Sequence, residues 1–186
     1  MRIFARGLIA LAVIVPLAAV GQPQINPAQV LQRVSREITP EVRFREVRTT
    51  KLLKTPLVSS GMLRYAPPDR LERETLQPMR ETVVIEGMQV AIERDGSQTV
   101  MSLVSGTPPA AMVQTLRAVL SGNLQELESL YRASALGSME RWTLQLEPRS
   151  GETAIREVRL SGKGGMVDEI EVLERGGDRT VTTLSR

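Results

Sequence analysis

The chain has 186 residues, 24 of them basic and 21 acidic, and contains neither histidine nor cysteine. It therefore lacks the common zinc ligands, the base of a Ser-His or Cys-His pair, any disulfide, and the cysteine that an amino-terminal lipid anchor needs. Two of the basic residues, Arg2 and Arg6, fall in an apolar leader, and the remaining Arg and Glu residues are interspersed, which reads as a mixed solvated surface and not as a nucleic-acid footprint.

In chain order, Arg2 and Arg6 precede an apolar run over residues 8–20, and Ala19-Val20-Gly21 supplies small residues where a signal peptidase cuts. The run falls short of the roughly 20 residues that span a bilayer. Residues 1–21 are thus expected to be a cleaved export signal, leaving residues 22–186 as one untethered domain. Asn26-Pro27 opens a helix, with Asn as N-cap and Pro in the first turn. Val30, Leu31, Val34 and Ile38 share one face before Pro40 ends it.

From Val42 the apolar period changes to two. Val42, Phe44 and Glu46 alternate with Arg43, Arg45 and Val47; Gly61, Leu63 and Tyr65 alternate with Met62 and Arg64. Val83 and Ile85 follow, Gly87 turns the chain, and Met88, Val90 and Ile92 continue the pattern. Asp95-Gly96 is a hairpin signal leading into residues 99–103. Pro108 and Pro109 interrupt the strands, and Met112, Val113, Leu116, Val119 and Leu120 form a helical stripe that Gly122 ends. Asn123 with Glu126 caps a second short helix over residues 124–130. Strands resume at Trp142, Leu144 and Leu146, then over residues 156–161, 166–173 and 179–184, with glycine-rich turns between them. This predicts a mainly β domain of about ten antiparallel strands curled into a half-open barrel, with an amino-terminal helix and a helical lid across its mouth.

Candidate chemistry is sparse. Gly162-Lys163-Gly164-Gly165 lacks the hydroxyl residue that a phosphate loop needs, and reads as a turn. Asp168 and Glu169 are adjacent, so a strand points them to opposite faces. A Ser-Lys pair from Lys51 or Lys54 with Ser59 or Ser60 has no supporting spacing. No catalytic residue, metal ligand or cofactor is assigned, and the chain is not expected to be an enzyme. Arg43, Arg45 and Arg48, followed by Lys51 and Lys54, read as a solvated strand face, or alternatively as a docking surface for an acidic partner or lipid headgroups. With Phe44 the lone aromatic nearby, single-stranded nucleic acid is not expected as a partner. Seven methionines follow the initiator, a residue suited to adaptable apolar surfaces. A curled sheet this poor in aromatics is expected to enclose an apolar cavity fit for acyl chains.

The segment from Lys51 through Gly61-Met-Leu-Arg-Tyr65 to Pro67-Pro68-Asp69-Arg70-Leu71 resembles the signature of LolA-like outer-membrane lipoprotein carriers: a Gly-x-Leu-x-Tyr strand, a proline turn, and a strand opening on an apolar residue. The order of helix, meander, mid-chain helices and returning strands is similar throughout the chain after the leader. The resemblance implies a half-open barrel with a helical lid, holding acyl chains of lipoproteins or related lipids in transit across the periplasm. It implies lipoprotein or lipid cargo, an inner-membrane donor and an outer-membrane acceptor, no membrane-spanning segment, and a monomer. On that reading Phe44, Leu63, Tyr65, Leu71, Val90, Ile92, Trp142, Leu144 and Leu146 line the cavity from the sheet, and Met112, Leu116 and Leu120 from the lid. Arg43, Arg45 and Arg48 are the docking candidates. The alternative is a non-enzymatic envelope adaptor acting through that arginine-rich surface.

Overall fold

The computed structural model describes residues 23–104, 108–151 and 153–186; the expected leader lies outside them. Helix α1 (Pro27–Arg36) begins as its sequence dictates. The Asn26 side chain accepts a hydrogen bond from the Ala28 amide at 2.9 Å, Pro27 occupies the first turn, and Arg33 and Arg36 sit in the last turn, where they complement the helix dipole. Helices α2 (Pro108–Ser121) and α3 (Leu124–Leu130) are separated by Gly122 and by Asn123, whose side chain accepts from the Glu126 amide at 3.0 Å.

Among the described residues twelve strands form one antiparallel sheet that does not close. They are β1 (Gln24–Ile25), β2 (Glu41–Thr49), β3 (Leu57–Ala66), β4 (Arg70–Gln77), β5 (Glu81–Glu86), β6 (Gln89–Arg94), β7 (Ser97–Ser102), β8 (Tyr131–Ser138), β9 (Arg141–Pro148), β10 (Ile155–Lys163), β11 (Met166–Glu174) and β12 (Arg179–Ser185). The order is β1-β8-β9-β10-β11-β12-β2-β3-β4-β5-β6-β7, so the β12–β2 pairing joins the carboxy-terminal half to the amino-terminal meander. The two strands beyond the ten expected are β1, only two residues long, and β8. In β8 the inward positions are Tyr131, Ala133, Ala135 and Gly137, and the small residues after Tyr131 carry little periodic signal. They suit a strand over which α1 and α3 pack closely.

All three helices lie on one face. Val30, Leu31 and Val34 of α1, Ala118 and Val119 of α2, and Leu127 of α3 meet Tyr131, Ala135, Trp142, Leu144, Leu146, Val158 and Leu160 in one continuous core. Leu31, Leu127 and Leu146 have no exposed surface. Each such leucine contributes about 1.5–3 kcal/mol relative to an exposed one, so this packing is the main support of the fold in a chain without disulfides. Gly162, directly opposite Trp142, lets the indole lie flat against the sheet. A Cβ there would overlap both the ring and the Met166 carbonyl. The indole N–H completes the fit by donating to the Gly164 carbonyl at 2.9 Å.

Candidate functional site

Strand register sorts the predicted cavity residues. Leu184 faces Phe44, which faces Gly61, and Leu63 and Tyr65 follow at two-residue intervals. Across the meander Tyr65, Leu71, Ile85, Val90 and Met101 form one cross-strand row; Leu63, Arg73, Val83, Ile92 and Thr99 form the next. Trp142, Leu144 and Leu146 lie in register with Gly162, Leu160 and Val158, on the helix-bearing face. Following the pairing across the sheet, all nine predicted sheet residues share that one face, because antiparallel partners point the same way.

They do not share one environment. Trp142, Leu144 and Leu146 are core, with at most 1% exposure, and they wall no open cavity in this conformation. The helices α1 and α3 cover them, which alternation along a strand does not reveal. Phe44 and Val90 are buried, whereas Leu63, Tyr65, Leu71 and Ile92 are half-buried and continue the apolar surface onto β3–β6. The side chain of Met112 lies outside the described residues, while Leu116 is half-buried on α2.

The same face also carries a polar cluster across β12, β2, β3 and β4, and its arginine, Arg73, belongs to the second row. Thr182 of β12 pairs with Glu46 of β2, which pairs with Ser59 of β3. Arg73 donates to both Glu46 oxygens, at 2.9 and 3.0 Å, and to the Ser59 hydroxyl at 3.2 Å; the Thr182 hydroxyl donates to Glu46 at 3.1 Å. The Arg73 guanidinium lies 4.3 Å from the centroid of the Phe44 ring, a cation–π contact. Burial pushes the Glu46 carboxyl up, but the hydrogen bonds from Arg73 and Thr182 and the charges of Arg73 and Arg48 outweigh it, leaving it below its ordinary value. Gly61 makes room for this stack, since a Cβ there would overlap the Glu74 carbonyl and press on the Phe44 ring.

At the far end of the meander the Arg117 side chain ties α2 down. The Arg117 guanidinium donates to the carbonyls of Asp69, at 3.2 Å, and Gly87, at 2.5 Å, bridging the β3–β4 and β5–β6 turns. The two turns are themselves linked, since the Gly87 amide donates to the Asp69 carboxylate at 3.1 Å. The Tyr65 hydroxyl donates to the Pro68 carbonyl at 2.9 Å; burial and the Asp69 charge raise its pKa, with Arg117 acting in the opposite sense. Sequence periodicity assigned α2 its apolar stripe but gave no signal for this polar tether.

A separate cavity of about 310 Å³ opens between α1, the end of α2 and strands β2, β11 and β12. Its apolar lining includes Val34, Ile38, Val42, Leu120, Met166 and Leu184. Of the predicted site residues only Leu120 lines it. Val34, Ile38 and Val42 were legible as an apolar stripe and a strand start, but their meeting at a cavity depends on where α1 docks.

The arginine candidates separate. Arg43 and Arg45 are exposed on the outer face, opposite the helices, whereas Arg48 has the parity of Glu46 and Phe44 and points to the other side. The expected three-arginine surface is therefore not one surface: a spacing of three residues reverses direction along a strand. Arg48 instead lies 3.6 Å from both Glu174 and Asp178.

Residues 19–186 match the profile of the family described as "Outer membrane lipoprotein carrier protein LolA-like". The chain belongs to that family. It is also similar to an outer-membrane lipoprotein carrier protein of Dechloromonas aromatica (strain RCB), at 27% identity over 135 residues, covering 72% of this chain and 62% of that protein. The chain thus spans less than two thirds of that relative's length. Among solved structures it resembles a LolA superfamily protein of Nitrosomonas europaea, with a TM-score of 0.48 at 8% identity over 87% of this chain and 92% of that one. It also resembles LprF of Mycobacterium bovis, with a TM-score of 0.44 at 10% identity over 89% and 94%. These two likenesses are of general outline. Membership gives the motif residues a physical reading in this LolA-like chain. Gly61 admits the Phe44–Arg73 stack, Leu63 and Tyr65 start the two apolar rows, and the proline turn presents the Asp69 carbonyl to α2.

Proposed function

We propose that this LolA-like chain is a periplasmic carrier that buries acyl chains of lipoproteins or related lipids and moves them between membranes. It works by sequestration, not by reaction, and residues 1–21 direct its export. One observation carries the reading: half-buried, largely apolar rows lie on the helix-bearing face beside a filled core, with α2 tied to the meander turns through Arg117. A surface of this kind can take an acyl chain without dismantling the core, and each buried methylene contributes about 0.8 kcal/mol. Donor and acceptor membrane proteins are the partners the reading requires.

Native mass spectrometry of the chain purified from the periplasm tests it. Lipid of defined mass should accompany the wild-type protein, and Leu71→Asp, which sets a carboxylate in the first apolar row, should arrive empty with its fold intact by circular dichroism. A wild-type protein that is consistently empty, and that gains no protection from added acyl lipid, would refute the carrier reading.

A further inference from the structure

The loop joining β2 to β3 carries the most exposed large apolar side chain among the described residues. Leu52 is 91% exposed and Leu53 47% exposed, flanked by Lys51 and Lys54. Isolated exposed leucines are ordinary, but this pair stands on a fixed turn. The Leu53 amide donates to the Thr50 carbonyl at 3.3 Å, and the Leu52 amide to the Thr50 hydroxyl at 3.3 Å. The Lys51 amide reaches the Asp178 carboxylate at 3.4 Å, tying the loop to the β11–β12 turn. On the adjacent β4–β5 turn, at the same end of the sheet, Met79 is 62% exposed.

Charge bookkeeping at this end is uneven. Glu174 and Asp178 pair with Arg48, Glu74 with Arg80, and Glu81 with Arg94, while Glu93 and Asp95 of the β6–β7 hairpin, several strands away, have no ion pair among the described residues. Lys51 and Lys54 have no ion pair among the described residues. Two leucines at a tip with two uncommitted ammonium groups beside them match the chemistry of a membrane interface, where apolar side chains enter the acyl boundary and lysines meet anionic headgroups.

We propose that the Lys51-Leu52-Leu53-Lys54 loop docks the chain on anionic bilayer surfaces. The docking is independent of what the apolar rows carry, and it orients the opposite end, with Arg117 and the 310 Å³ cavity, away from the bilayer.

Vesicle co-sedimentation of the full chain provides the test, using phosphatidylcholine vesicles with and without about one third phosphatidylglycerol. The wild type should bind the anionic vesicles, and binding should weaken as salt rises. Lys51→Gln/Lys54→Gln should bind roughly thirtyfold more weakly, and Leu52→Ser should lose the part of binding that survives high salt. Arg43→Gln/Arg45→Gln, on the outer face, should bind like the wild type, and lipid occupancy by native mass spectrometry should be unchanged in the loop variants. Equal binding to both vesicle types would overturn the proposal. So would lysine variants that bind like the wild type, or loss of binding in Arg43→Gln/Arg45→Gln.

Discussion

Replacing Arg117 by methionine keeps most of the apolar stem and removes the donors that tie α2 to the Asp69 and Gly87 carbonyls. Hydrogen bonds from a charged donor contribute about 1.5–3 kcal/mol each. Against that pair stands the Arg117 Nε, buried without a hydrogen-bond partner, at a cost of about 1–3 kcal/mol. The net tether is therefore about 2 kcal/mol, which corresponds to a roughly thirtyfold change in the opening equilibrium of α2. Native-state amide exchange reads that equilibrium directly. In Arg117→Met the amides of α2 should exchange roughly thirtyfold faster, while those of β9 and β10, under α1 and α3, should keep the wild-type rate. Unchanged exchange in α2 would refute the tether. A uniform acceleration across α2, β9 and β10 would show that Arg117 supports the whole fold and does not act locally.

Other perturbations address the polar cluster and the core. Gly61→Ala forces a methyl group against the Glu74 carbonyl and the Phe44 ring; the urea midpoint should fall by an amount equivalent to about 1–3 kcal/mol, as for other overpacked sites. The pairing of β3 with β4 shifts register between Ser60 and Gly61, and an unchanged midpoint would show that this irregularity absorbs the methyl. Leu144→Ala opens a cavity beneath the helices and should cost about 2–5 kcal/mol by the same measurement. Glu46 titrates below its ordinary 4.5, so on acidification the unfolded chain takes up the proton first. Its contribution is fully present above about pH 4.5 and is lost as pH falls through the lower folded value. Urea unfolding of Glu46→Gln across that range should therefore show a shallower acid limb than wild type, and parallel limbs would remove Glu46 from the acid response.

Local punctuation was the most legible part of this sequence. Asn26-Pro27 announces α1 because cap and first-turn chemistry are short-range. Asp95-Gly96 announces a hairpin because both residues take positive φ, 52° and 75°, which few other pairs tolerate. The nine sheet candidates share one face, since parity survives pairing from strand to strand. What alternation does not carry is depth. Leu63 and Leu144 look alike in sequence, yet one is half-buried and the other is sealed beneath α1 and α3, and only helix docking separates them. Strand β8 escaped notice because the small residues after Tyr131 at its inward positions mark a close helix, not a strong apolar period. Arg48 joined Arg43 and Arg45 as a run of charge, whereas counting residues along a strand sets it on the other side.

The Thr182–Glu46–Arg73 cluster works like a splice. Its hydrogen bonds cross β12, β2, β3 and β4, so the joint between the two halves of the chain is fastened by side chains as well as by backbone. Under the proposed carrier function, a guest that enters or leaves the apolar rows leaves that joint intact. An empty chain should then melt as cooperatively as a filled one.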